Sequence, residues 1–313
     1  MTARSGPPAV ALRALGLGDL LTALPALRGL RRHRPGRELL LAAPRWLAPV
    51  AALAGAADGV VDTPPLGPVA ADRPALAVNL HGRGPESTAT LRATGPGELW
   101  AFDLPGGEPW ERPGRPDGPE EHEVDRWCRL LGAHGVETDP AELDLPRPEG
   151  GSPRPGVTIV HPGGAAACRR WPAPRWAAVA RALAAGGHDV AVTGGPGEVA
   201  LAEDVARRAG LPPAAVYAGR TDLLQLCALV AEARVVLAAD TGVGHLATAY
   251  GTPSVLLFGP VSPDQWGPPA DRPQHLALWS GRPGDPGAPT TDPGLATLTP
   301  ADVLTASDSL PGR

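Results

Sequence analysis

The sequence predicts an α/β protein built from two Rossmann-like halves with parallel sheets. Short apolar runs alternate with longer stretches of helical periodicity along most of the chain, the pattern of parallel strands covered by helices. The turns that follow several of those runs are rich in glycine. One Pro/Gly-rich segment, PRPEGGSPRPG from Pro146 to Gly156, divides the pattern in two. The domains are therefore drawn as residues 1–150 and 151–313, each long enough to bury its own core.

In the first half, AVALRAL (Ala9 to Leu15) reads as a strand and Gly16 to Asp19 as the turn after it. LLTALPALRGLRRH follows as a helix with Leu20, Leu24, Leu27 and Leu30 at helical spacing. Pro25 either kinks that helix or sits in its first turn. ELLLAAP and ALAVNLHG are further strands, with RWLAPVAALAGA as a helix between them. The segment Leu104 to Glu120 is nearly all turn formers and is expected as a loop, ordered or mobile. EEHEVDRWCRLLGAHG behind it is amphipathic, with Val124, Trp127, Leu130 and Leu131 on one side.

The second half alternates more clearly. VTIVHPGG, HDVAVTGGPGE and RVVLAADTG each run from strand to turn, and PSVLLFGP is expected as the last strand. APRWAAVARALAAGG, EVALAEDVARRAG, DLLQLCALVAEA and VGHLATAYG are the helices. TPADVLTAS closes the chain as a short helix begun by Thr299 and Pro300, with the N-terminal domain as a candidate seat for it. No sequence repeat is exact enough to indicate duplication.

Composition narrows the classes of function. Hydrophobic residues make up 43% of the chain, which permits a packed interior, and the 40 glycines and 40 prolines cluster in loops and linkers. A formal charge of -5 without a long basic block argues against a nucleic-acid binder and allows at most peripheral membrane association. All 28 basic residues are Arg, so any anion contact is made by a planar, permanent cation. Cys128, Cys168 and Cys227 are odd in number and far apart, which suits reduced thiols better than a disulfide frame or a zinc site. Neither a signal-length apolar core near the N-terminus nor a membrane-length run appears, so the expected location is the cytoplasm.

The turns carry the candidate chemistry. In an open parallel sheet, ligands gather beyond the carboxyl ends of the strands, where helix N-termini present free N–H groups. After VVLAA the chain Asp240, Thr241, Gly242, Val243, Gly244, His245 enters a helix at such a place. Its glycines let backbone approach a phosphate and Thr241 adds a hydroxyl. The plainer reading is that Asp240 or Thr241 caps the helix. An aspartic-protease triplet fails on context, because it needs a second such triplet in an all-β fold. In HPGGAAACRRWP, Gly163 and Gly164 free the backbone while Arg169 and Arg170 bring two cations, each equally readable as surface charge. TGGPGE is a third turn, with Gly194, Gly195 and a Glu198 that either reaches a ribose or opens the next helix. Three such turns in one half point to a nucleotide diphosphate.

In the first half LGLGDLL is only a partial GxGxxG. Asp19, at a strand-to-helix turn, is a candidate general base or an N-cap. NLHGRGPEST is polar and strand-terminal, so Arg83, Glu86 and Ser87 are candidate acceptor contacts, with a plain loop as the alternative.

Taken in order, RALGLGDLLTALPALRGLRRHRPGREL, HPGGAAACRRWPAPRWAAVARALAAGGHDVAVTGGPGE and AGRTDLLQLCALVAEARVVLAADTGVGHLATAYGTPSVLLFGPVSPDQWGP resemble the ADP-heptose:lipopolysaccharide heptosyltransferases, glycosyltransferase family nine. The block DTGVGHLATAYGTPSVLLFGP is the most specific, and Val60 to Glu120 has no counterpart. The resemblance implies a GT-B fold, two Rossmann-like domains facing across a cleft, with acceptor on the N-terminal side and nucleotide sugar on the other. It implies an inverting, metal-independent transfer without a cofactor from an ADP-heptose-like donor. The acceptor is left open between a glycan, a lipid-linked saccharide and a small molecule. Asp19 inherits the role of general base, Asp240 that of holding sugar hydroxyls, and Thr241, Gly242 and Val243 that of binding diphosphate. Arg169 falls where many members carry a phosphate-binding Lys, keeping the charge and changing its geometry. A nucleotide-sugar binding protein without transferase activity and a GT-B nucleotide-sugar epimerase are the alternatives.

Overall fold

The computed structural model describes residues 6–111 and 121–310. The chain forms two compact units, Met1–Pro146 and Arg147–Arg313. In the first, β1 (Ala9–Leu12), α1 (Leu17–Thr22), α2 (Leu24–His33), β2 (Leu39–Ala43), α3 (Ala48–Leu53), β3 (Gly59–Asp62), β4 (Leu76–Asn79), α4 (Glu86–Arg92), β5 (Glu98–Trp100) and α5 (Glu123–Gly132) follow one another. All five strands are parallel, in the order β3-β2-β1-β4-β5. The second unit holds β6 (Thr158–His161), α6 (Ala173–Ala185), β7 (Val190–Val192), α7 (Val199–Ala209), α8 (Leu223–Ala231), β8 (Val235–Ala239), α9 (Gly242–Tyr250), β9 (Ser254–Leu257), α10 (Pro263–Trp266), β10 (His275–Leu278) and α11 (Pro300–Ser309). Its strands are also parallel, ordered β10-β9-β8-β6-β7.

The two orders are different members of the doubly wound class. Counted along its own chain, the first sheet runs 3-2-1-4-5 and the second 2-1-3-4-5, the latter being the flavodoxin-like arrangement. A simple duplication would have preserved the order. Each sheet reverses direction of winding once, between β1 and β4 in the first unit and between β6 and β8 in the second. Turns that leave those strands open into the crevice where such folds bind ligands.

Burial explains the elements. β1, β4, β6 and β8 are buried at every residue, as strands covered on both faces must be. Pro25 ends up at the start of α2, and Ala23 serves as C-cap of α1 and N-cap of α2, so the single periodic stretch becomes two helices. The apolar side of α5, Val124, Trp127, Leu130 and Leu131, is wholly buried. In the second unit Trp171 and Trp176, in edge-to-face contact, sit in a core with Leu237, Val255 and Leu257. Gly244 lies close under Leu256, where an added Cβ would approach the leucine Cδ2 to 2.9 Å, so α9 packs tightly on its sheet.

Five elements go beyond the sequence reading: β3, β5, β10, α4 and α10. The three strands are sheet edges with exposed or half-buried positions, so none carries a continuous apolar run. PSVLLFGP is therefore the penultimate strand, with β10 beyond it. The last helix, α11, begins at Thr299, whose hydroxyl accepts from Asp302 N–H. It packs on α6 and β9 of its own unit, with Val303 in that core, because its apolar side is used there. Of the loop 104–120, residues 112–120 lie outside the described residues. The three cysteines are buried and none forms a disulfide. Among the described residues no helix is long and apolar enough to cross a membrane.

A buried histidine ties β10 to β9. His275 Nδ1 is 2.9 Å from Ser254 Oγ, and burial, with Arg272 adding to it, lowers its pKa from 6.5 to about 4. A folded-state pKa below the ordinary value favours the neutral ring. The contribution to stability is then complete above pH 6.5 and drains away as the pH falls through 4. Unfolding free energy should drop by about 3 kcal/mol over that window from this group, read by urea denaturation at a series of pH values, and His275→Gln should flatten that part of the profile.

Candidate active site

In the second unit the three Gly-rich turns meet. Asp240 closes β8 and is 7% exposed, and Arg169 Nη1 lies 3.4 Å from its Oδ2. Arg169 comes from a short turn, Ala167–Arg169, and its Nε is buried with no hydrogen-bond partner among the described residues. Thr241 takes the N-cap position of α9 in extended backbone, yet its hydroxyl makes no cap bond. That hydroxyl is also buried and unpartnered among the described residues. Capping therefore does not account for it. A buried hydroxyl left unmade is expensive, on the order of 1–3 kcal/mol, and such groups call for an explanation.

Glu198 joins two of the turns. Its Oε1 accepts from Gly164 N–H at 2.8 Å and its Oε2 from Gly195 N–H at 2.8 Å. Gly163 leaves room for it, since an added Cβ would overlap that carboxylate where it now sits. The carboxylate thus opens the helical stretch, as one sequence reading has it, and also staples the turn after β6 to the turn after β7. Arg170 Nε donates to Gly164 O at 2.7 Å and holds the same turn from the other side. Beneath them the buried His161 Nδ1 is 3.0 Å from Thr193 Oγ1. Burial holds the His161 pKa below the usual histidine range, against the opposing pull of Glu198.

The remaining predicted residues divide by role. Gly242 begins α9, while Val243 and Gly244 are buried in its first turn and shape the helix. His245 meets Trp266 edge-on at 6.1 Å between ring centroids. Gly194, after β7, packs close to Glu198 and Ala218.

In the first unit Asp19 sits in the first turn of α1, after the switch-point strand β1. Gly16, not Asp19, is the N-cap of α1, and Asp19 Oδ2 reaches back from the third helical position to accept from Gly16 N–H at 3.0 Å. Its Oδ1 faces Arg13 Nη2 at 3.3 Å, with the side chain 27% exposed. His81, after β4, accepts from Ala14 N–H through Nδ1 at 3.1 Å. Burial, then the Arg13 charge, hold its pKa below the usual value against Asp19. Arg83 is taken up by Asp103 at 2.8 Å and Glu111 at 3.5 Å. Glu86 opens α4. Ser87 is 3% exposed and accepts from Asn79 Nδ2 at 2.9 Å, so its side chain is turned into the protein.

Arg13 and Glu123 escaped the sequence reading. Both are buried beside Asp19. The signal for Arg13 was present: a charge inside the apolar run AVALRAL. Glu123 had none, because it lies far along the chain at the head of an amphipathic helix.

Two doubly wound units with polar turns gathered at the reversals define a protein of the GT-B fold class. The chain belongs to glycosyltransferase family 9 (heptosyltransferase), whose profile matches residues 117–283. It is similar to lipopolysaccharide heptosyltransferase 3 of Escherichia coli, 28% identical over 160 residues, 49% of this chain and 46% of that protein. That match spans about half the length of the curated relative. Among solved structures, ADP-heptose lps heptosyltransferase II of E. coli superposes with a TM-score of 0.75 at 18% identity, covering 96% of this chain and 98% of that one. The E. coli heptosyltransferase WaaC with ADP gives 0.68 at 17% identity, over 95% and 98%. Asp19 lies outside the region matched by the family profile.

Removing the staple tests its importance. Glu198→Ala should lower unfolding free energy by about 1–3 kcal/mol, through two backbone amides left without their acceptor. Glu198→Gln, which keeps one acceptor oxygen, should lose less, and urea denaturation of the three proteins gives the ranking.

Proposed function

We propose that this chain transfers a sugar from a nucleoside diphosphate sugar to an acceptor hydroxyl, with an ADP-heptose-like donor. The observation that carries the reading is the head of α9: an unpartnered buried Thr241 hydroxyl at a helix N-terminus, beside the Arg169–Asp240 pair. Free N–H groups at that N-terminus and the Arg169 guanidinium suit a diphosphate. Asp240 suits the hydroxyls of the sugar. Family membership and a relative solved with ADP support the same assignment.

In the proposed reaction Asp19 takes the proton of the acceptor hydroxyl as its oxygen attacks the anomeric carbon from the face opposite the diphosphate. The sugar–phosphate oxygen bond breaks, the configuration inverts, and the electron pair leaves with the nucleoside diphosphate. Negative charge then grows on that leaving group, where Arg169 and the amides of α9 stabilise it without help from a metal. The first unit supplies the acceptor side. Arg83, Glu86 and Ser87 are its candidate contacts, of which Arg83 already holds Asp103 and Ser87 already holds Asn79.

The test is purified chain with ADP-heptose and a lipopolysaccharide core saccharide as the acceptor, reading thermal stabilisation by the donor and acceptor-dependent release of ADP. Asp19→Asn should lower turnover roughly a hundredfold with donor stabilisation intact. Near-normal turnover in that variant would reject Asp19 as the base. Arg169→Ala should chiefly weaken stabilisation by ADP-heptose, and unchanged affinity would remove it from the donor site. Isomerised sugar recovered from donor alone would point to an epimerase instead.

A further inference from the structure

Arg13 is 1% exposed, and every one of its nitrogens is engaged. Nη1 donates to Leu80 O at 2.6 Å and Nε to the Asp19 main-chain oxygen at 3.0 Å. Nη2 is shared among Glu123 Oε1 at 2.9 Å, Asp19 Oδ1 at 3.3 Å and Thr22 Oγ1 at 3.4 Å. The guanidinium also lies over the Trp127 ring, 4.9 Å from its centroid. We propose that the buried Arg13–Glu123 pair is a positioning device for Asp19, fixing where its carboxylate points while leaving it able to accept a proton. The proposal rests on the reading of Asp19 as general base.

The two carboxylates around this cation are unequal. Glu123 is the closer, its side chain is 6% exposed, and both of its oxygens are committed: Oε1 to Arg13 and to Trp127 Nε1 at 2.9 Å, Oε2 to Arg126 at 2.6 Å. Asp19 is the farther and is 27% exposed, so it keeps accepting capacity toward solvent. Nε to the backbone and Nη2 to the carboxylate give Arg13 a two-point hold on Asp19, while Glu123 supplies the buried counter-charge. Stability alone is a poor reason for the arrangement, because apolar residues commonly replace a buried ion pair without loss. Glu123 also comes from α5, more than a hundred residues along the chain, so the device is not a local turn motif.

The test compares Arg13→Met, Arg13→Lys, Glu123→Gln and Asp19→Asn in the full chain, reading ADP released from ADP-heptose on transfer to a lipopolysaccharide core saccharide. Arg13→Met should lower kcat ten- to a hundredfold, on the order expected for a misplaced catalytic group, with the KM for ADP-heptose within about twofold. Arg13→Lys should recover part of kcat. In an Asp19→Asn background Arg13→Met should lower kcat no further, since its effect runs through the missing carboxylate. A crystal structure of Arg13→Met should show the Asp19 carboxylate turned away from its present place. Additive loss in the double variant, or an Asp19 carboxylate that stays in place, overturns the proposal. If Arg13→Met does not fold, Glu123→Gln decides: a lower kcat at unchanged KM supports the pair, and a wild-type kcat overturns it. Normal turnover of Asp19→Asn defeats the base reading instead, and the position of the carboxylate in the Arg13→Met or Glu123→Gln crystal then decides the positioning role by itself.

Discussion

Strand order reverses once in each sheet, and the placement of Asp19, His81, Arg169, Asp240 and Thr241 follows from that constraint. On either side of the reversal the connecting helices cover opposite faces, so the turns leaving the two central strands diverge and open a crevice. In the first unit those turns carry Arg13 to Asp19 and Leu80 to His81. In the second they carry the Gly163–Arg169 region and Asp240–Thr241. Buried strands, helix starts and glycines then act on positions that topology has already selected. The family relationship is consistent with this, since its profile spans the second unit's crevice.

Once the crevices exist, backbone amides have to be arranged, and the two units solve this differently. The second unit uses a carboxylate as a brace, Glu198 tying two turns whose glycines leave room for it. The first uses a cation as a hub, Arg13 joining β1, the end of β4, α1 and α5. With every basic residue an Arg, the hub has the planar fork that lets one side chain serve backbone and carboxylate together. A single lysine nitrogen cannot span Leu80 O, Asp19 and Glu123 in the same way.

Much of this was legible in the residues. The fully buried strands announced themselves as apolar runs, and Asp240, Thr241, Arg169 and Glu198 stood at the turns that the structure brings together. Edge strands such as β3 and β10 were not legible, because one side facing water dilutes their apolar content. The two strand orders were also hidden, since short range patterning records which segments are strands but not who neighbours whom. Asp19 was readable as a turn carboxylate, whereas Glu123, which shares the Arg13 guanidinium with it, was not, that sharing being a property of tertiary structure alone.

The Arg169–Asp240 pair has a consequence for selectivity. Any anion entering beside α9 has to compete with a carboxylate already holding the guanidinium. Inorganic phosphate would compete with Asp240 for Arg169 and bring no sugar hydroxyl to the carboxylate. A ligand that brings hydroxyl donors along with its phosphates compensates both halves of the pair at once. Under the proposed function, this pair favours a glycosylated diphosphate over free phosphate.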